Sequence, residues 1–199
     1  MPTCIAFHAV DRCEIDAGQW LAIVGCGGLG QLATRYAKAY GMKVLCMDLD
    51  DQKLETCKRH GADATINVKT NTKFYKDVRK LTGKRGVDAA AVFSDSQAAY
   101  NTAQRALDFN GILMVVGLPE DNLNLPAFPI SLGLIRVRGA GTGTAAEMKK
   151  AVDFTAKHKI IPEVQYRKLE EMPQMWQEMK SGGPQRRMVV LLGDQKSKL

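Results

Sequence analysis

Short apolar runs rich in β-branched residues alternate along most of the chain with stretches whose apolar positions recur at helical spacing. The runs predict strands over residues 20–24, 43–47, 64–67, 87–93 and 112–116. Between them the helical spacing predicts helices over 29–40, 51–60, 72–82 and 96–107. Strand, helix, strand in regular order implies a parallel sheet with helices on both faces, a doubly wound α/β fold (Rossmann) built as one domain. A turn-rich segment, VVGLPEDNLNLPAFP, precedes a further strand near 134–138 and a helix near 145–158. The pattern then predicts a strand at 164–166, a helix at 169–180 and a strand at 187–192. No internal repeat divides the chain, so residues 1–192 read as one domain and 193–199 as a tail.

Within that pattern Gly25, Gly27 and Gly30 form G-x-G-x-x-G directly after the first strand and at the start of the first long helix. The first glycine permits a tight turn. The second lets backbone approach a pyrophosphate, and the third lets helix and strand pack closely. The next strand, KVLCMD, ends in Asp48, whose carboxylate can accept hydrogen bonds from the ribose hydroxyls of NAD. The same charge opposes the 2′-phosphate of NADP, and LDDQK offers no arginine to receive it. A glycine turn and a helix-capping aspartate that hold no ligand are the bland alternative.

Composition changes this picture little. The 199 residues are 45% apolar and 25% charged, as in ordinary globular proteins. The net charge of +7 comes from Lys and Arg interleaved with Asp and Glu, without a basic run or the aromatic interleaving that base stacking needs. It reads as a solvated basic surface compatible with a cleft for an anionic cofactor, not as a nucleic-acid site. Cysteines at 4, 13, 26, 46 and 57 are odd in number and irregular in spacing, which argues against a disulfide framework and a zinc knot. Cys26 lies inside the glycine loop, where exposure at a helix N-terminus would lower its thiol pKa; a tolerated small side chain is the plainer reading. No apolar run suits a membrane span, and the first residues do not read as a secretory signal. The closing Ser197, Lys198 and Leu199 spell a peroxisomal address read by an import receptor. Otherwise a cytoplasmic location is expected.

The stretch AIVGCGGLGQLATRYAKAYGMKVLCMDLDDQKLETCKRHGADATIN closely resembles the cofactor domain of zinc-type medium-chain alcohol dehydrogenases. The likeness continues through VFSDSQAAYNTAQRALDFNGILMVVGLP, IRVRGAGTG and GPQRRMVVLL. It implies that Gly25, Gly27, Gly28, Leu29 and Gly30 hold the pyrophosphate, and that Asp48 and Lys53 contact the adenosine ribose. Ser94 falls beside the adenine half of the cleft, and Val116, Gly117 and Leu118 fall where backbone meets the nicotinamide carboxamide. Ala140 and Thr142 match a segment lining the nicotinamide pocket. Arg187 matches an arginine that pairs with the pyrophosphate.

The resemblance also implies what to look for and not find. The family's zinc site, Gly-His-Glu motif, proton relay and structural zinc loop have no counterpart in these residues, and Met1 stands where the third zinc ligand belongs. Cys4 and His8, four apart on one helix face, are two ligands and not a site; His60 and His158 read as solvated residues near helix ends. No zinc is therefore expected, and no catalytic acid or base can be named. Three readings stay open: the NAD-binding part of an alcohol dehydrogenase-like oxidoreductase, a stand-alone NAD(H) sensor or scaffold, and a zinc-free reductase completed by a dimer partner. The family pairs its sheet edge across a dimer, so the segment 135–141 (IRVRGAG, opening on Ile135 and closing on Gly141) is expected to form a homodimer.

Overall fold

Alternation within WLAIV decides the layering of the protein. In the strand β1 (Trp20–Val24), Leu21 and Ile23 face one apolar core while Ala22 and Val24 face another. The computed structural model describes residues 2–180 and 187–192. They divide into two compact units, Met1–Ile160 and Ile161–Leu199.

The first unit opens with helix α1 (Pro2–Asp11) and β1, then runs α2 (Gly28–Ala39), β2 (Lys43–Asp48), α3 (Asp51–Arg59), β3 (Ala64–Asn67), α4 (Phe74–Leu81) and β4 (Val87–Val92). It continues with α5 (Gln97–Ala106), β5 (Leu107–Val115), α6 (Ala127–Ser131), β6 (Ile135–Gly139) and α7 (Ala145–Lys157). All six strands pair in parallel in the order β3-β2-β1-β4-β5-β6, the doubly wound order expected from the sequence. One core lies between the sheet and α1, α2, α3 and α7; the other lies between the sheet and α4 and α5. Parallel strands covered on both faces are buried along nearly their whole length, as in β1, β2 and β4.

Three details of this unit depart from the sequence expectation. Strand β5 begins at Leu107 and not near 112, because Val87 pairs with Leu107 before the register jumps to Ala89 with Ile112. Asn110 takes a φ of 58° within that irregularity. Helix α6 begins at the end of the turn-rich segment, entered through Pro126, and runs on to Ser131. Helix α1 is buried on every side, with Cys4, Ala6, Phe7, His8, Ala9 and Val10 all in the interior.

The second unit pairs β7 (Val164–Arg167) in parallel with β8 (Arg187–Val190). The helix expected over 169–180 is instead a 3₁₀ turn, Leu169–Glu171, followed by α8 (Met172–Lys180). Glu171 accepts from the Lys168 N–H and holds the first turn tight, and Pro173 suits the start of α8 because a first-turn N–H has no helical partner to lose. Arg167 ties the unit together through Glu171 and Glu178 at 3.2 and 2.9 Å. The tripeptide Ser197, Lys198 and Leu199 lies outside the described residues.

Candidate functional site

Parallel pairing delivers the C-terminal ends of the strands to one edge of the sheet, and backbone hydrogen bonds continue the ladder just past them. Gly25 donates to Met47 at 2.9 Å, Phe93 to Val24 at 2.7 Å, Gly117 to Val92 at 2.8 Å and Ala140 to Val115 at 3.1 Å. Asp48, Gly25, Ser94, Gly117 and Ala140 therefore stand in a row across five adjacent strands. The row crosses the boundary between β1 and β4, where the strand order reverses and where open α/β sheets hold their ligands.

The glycine loop fits that place for steric reasons. Gly25 has φ +94°, and a Cβ there would lie 3.0 Å from the Ser94 nitrogen. At Gly30 a Cβ would collide with the Gly25 carbonyl, so only glycine lets α2 pack this close to β1. Gly27 and Gly28 face open space instead, and Gly27 caps α2 without a side-chain hydrogen bond. The first-turn N–H groups of α2 are thus presented where an anion is favoured. Leu29 is half-buried against the α1–α2 side of the core.

Asp48 is held before any ligand arrives. Its Oδ2 accepts from Cys26 N at 2.6 Å, and its Oδ1 accepts from Leu49 N at 2.7 Å and Asp50 N at 3.0 Å. Three of about four acceptor positions are used, which leaves Oδ2 able to take one more donor. Lys53 is half-buried in the first turn of α3, behind the Asp50 cap that accepts from Gln52 N at 2.8 Å. Ser94 is half-buried, with Oγ 3.3 Å from Ser96 Oγ. Val116 packs on the core, whereas Leu118 is 80% exposed at the mouth of the edge. Thr142 is exposed just before the Thr144 cap of α7. Arg187 opens β8 in the second unit, exposed and paired with Val164.

Sequence reading assigns no role to Tyr100, yet it anchors the β5 end of the row. Its Oη donates to the Gly117 carbonyl at 2.5 Å, and burial pushes its phenol up. Its position one turn into the helix that follows Ser94 was the available signal.

Two side-chain expectations need correction. Cys26 is fully buried, not exposed, because the loop turns its side chain inward beneath β2. Contact with Cys46 first, then with Cys57, and burial push its thiol up. Hydrogen bonds from those neighbours hold Cys57 down to about 4. His60 is half-buried as the C-cap of α3, while His158 is exposed and stacked on Phe154 at 4.3 Å. His8 is 1% exposed, with Nδ1 3.4 Å from the Gly141 carbonyl.

Dinucleotide and zinc fare differently as occupants. The glycine cradle, the uncapped helix start and the anchored carboxylate fit a dinucleotide. A catalytic zinc needs three ligands and an open position facing the substrate. Among the described residues the one group of three or more candidate ligands is Cys26, Cys46 and Cys57, all buried, and it does not fit that role.

Fold and site together define a doubly wound nucleotide-binding domain. The zinc-binding dehydrogenase family model matches residues 28–157, and the chain belongs to this family, as its nicotinamide dinucleotide-binding domain. An alcohol dehydrogenase of Geobacillus stearothermophilus is 37% identical over 176 residues, covering 88% of this chain and 51% of that protein. The structure of the alcohol dehydrogenase from Aeropyrum pernix superposes with a TM-score of 0.86 at 28% identity, over 96% of this chain and 56% of that one. Acetophenone reductase from Geotrichum candidum, solved in complex with NAD, has the same fold at 22% identity, with a TM-score of 0.80 over 98% of this chain and 54% of that one. The chain spans about half the length of the relatives it matches.

Proposed function

We propose that the first unit binds NAD(H) along the row from Asp48 to Thr142, as the cofactor half of an oxidoreductase that interconverts an alcohol and its aldehyde or ketone. The observation that carries this reading is the row itself, five strand ends aligned across the reversal of strand order with a glycine cradle at its centre. Gly25, Gly27, Gly28, Leu29 and Gly30 enclose the pyrophosphate with backbone N–H groups, and Asp48 with Lys53 takes the adenosine ribose. Ser94 borders the adenine side; Val116, Gly117, Leu118, Ala140 and Thr142 border the nicotinamide side. NAD supplies the hydride-accepting ring, and the protein supplies position and electrostatics. The carboxylate of Asp48 favours NAD over NADP, since a 2′-phosphate would meet a fixed negative charge. Fluorescence titration with NADH and NADPH tests this. Saturable NADH binding at least tenfold tighter than NADPH is expected, and no saturation with either would refute it.

We also infer that β6 pairs with its counterpart in a second copy. The strand lies at the edge of the sheet, and Val137, Phe128 and Leu132 are 38%, 72% and 58% exposed on or next to it. An open edge with apolar neighbours favours strand-to-strand association.

A further inference from the structure

Three of the five cysteines come together although they stand 20 and 11 residues apart in sequence. Cys26 follows β1 within the glycine loop, Cys46 lies in β2 and Cys57 lies in the last turn of α3. Parallel pairing of β1 with β2, and the return of α3 onto that sheet face, bring all three Sγ atoms within 4.8 Å of one another. Each cysteine is 0% exposed. Thr34 of α2 closes the group, with Oγ1 3.3 Å from Cys46 Sγ and 3.7 Å from Cys57 Sγ, while it donates to the Gly30 carbonyl at 2.9 Å. Cys4 and Cys13 are buried elsewhere, and Cys13 donates to the Ala9 carbonyl at 3.0 Å.

We propose that Cys26, Cys46 and Cys57 form a three-sulfur site for a single soft metal ion, Cu(I). The spacing suits it. Three sulfurs about 2.3 Å from a central ion lie roughly 4 Å apart, inside the span observed. A disulfide could join only two of them, would need a sulfur separation of about 2.05 Å, and would leave the third thiol behind. Thiolates select Cu(I) or zinc among common ions, and structural zinc takes four ligands. No fourth His, Cys, Asp or Glu joins this group among the described residues, and the buried setting admits no substrate-like ligand. Cu(I) accepts three sulfurs without a fourth ligand. Each thiol that becomes a thiolate releases its proton to solvent on binding, and no electron is transferred.

The test uses the full chain, reduced and handled anaerobically, titrated with Cu(I) against a chromophoric Cu(I) chelator, with Zn²⁺ in a parallel arm. One Cu(I) per chain is expected, with three sulfur neighbours by X-ray absorption. Cys46→Ala and Cys57→Ala should each lose that uptake, whereas Cys4→Ala and Cys13→Ala should keep it. Thermal melting and NADH titration of every variant establish that it is folded. The proposal fails if the folded Cys46→Ala and Cys57→Ala proteins still bind one Cu(I), or if the unaltered protein binds none. It fails equally if Zn²⁺ is taken up in preference, or if mass spectrometry finds two of the three thiols joined as a disulfide.

Discussion

Replacing Asp48 by asparagine perturbs two things that the structure joins in one carboxylate. Oδ1 serves the local turn through Leu49 N and Asp50 N, and Oδ2 reaches across to Cys26 N at 2.6 Å. In Asp48→Asn the amide can keep the turn, but its NH₂ then opposes the Cys26 N–H, donor against donor. Losing a charge-assisted hydrogen bond costs about 1.5–3 kcal/mol, so denaturant unfolding should show a stability loss of that order. For the dinucleotide, the ribose loses an ionic acceptor of similar worth, which raises the NADH dissociation constant roughly 10- to 100-fold. NADPH behaves oppositely, because the charge facing its 2′-phosphate is gone, and its affinity should hold or rise. Paired NADH and NADPH titrations therefore separate ribose recognition from general loosening of the loop. An unchanged NADH affinity, or equal weakening of both dinucleotides, would refute the role given to Asp48.

Gly30→Ala should weaken NADH binding by about 1–3 kcal/mol, since the new methyl can be accommodated only by moving the Gly25 carbonyl away; unchanged calorimetric affinity would contradict the close approach. Glu147 accepts from the Thr144 backbone and side chain and from Arg12, contacts that hold its carboxyl down from 4.5 to about 2. Its folded value lies below its unfolded value, so its contribution is present above about 4.5 and lost as pH falls toward about 2. The melting-temperature difference between the protein and Glu147→Gln should accordingly shrink across that window, and a difference independent of pH would be the contrary result. Val137→Asp should shift gel filtration from dimer to monomer at micromolar concentration; a monomer before substitution would rule out edge pairing.

The sheet was legible because its signal is local. Runs such as WLAIV and KVLCMD are buried on both faces, and the glycines between strand and helix mark the tight turn that this topology uses. The segments that were not legible lack that locality. Helix α1 is surrounded by protein, so PTCIAFHAVD carries no polar stripe to betray its period. Helix α6 has five residues, with Pro129 among them, too few for a periodicity. Gly25, Asp48 and Gly117 could be placed by motif and resemblance, but the bond from Tyr100 to Gly117 joins two elements whose nearness is tertiary. Cysteine spacing failed for the same reason: a loop, a strand and a helix contribute one sulfur each, and no linear motif encodes their meeting.

The clasp between α1 and α7 constrains how the unit can be made. Phe7 lies against Phe154 and Tyr36 at 5.4 and 5.5 Å, Lys150 reaches Asp11 at 2.7 Å, and Arg12 bonds Glu147 across 135 positions. A ribosome releases α1 long before the helix that covers it. Until α7 emerges, Phe7 has lost one wall of its pocket, and the strands already synthesised sit beside a partly bare apolar surface. Nascent chains halted before α7 is made, and chains halted far enough beyond Lys157 for α7 to clear the exit tunnel, should differ sharply in protease resistance at α1.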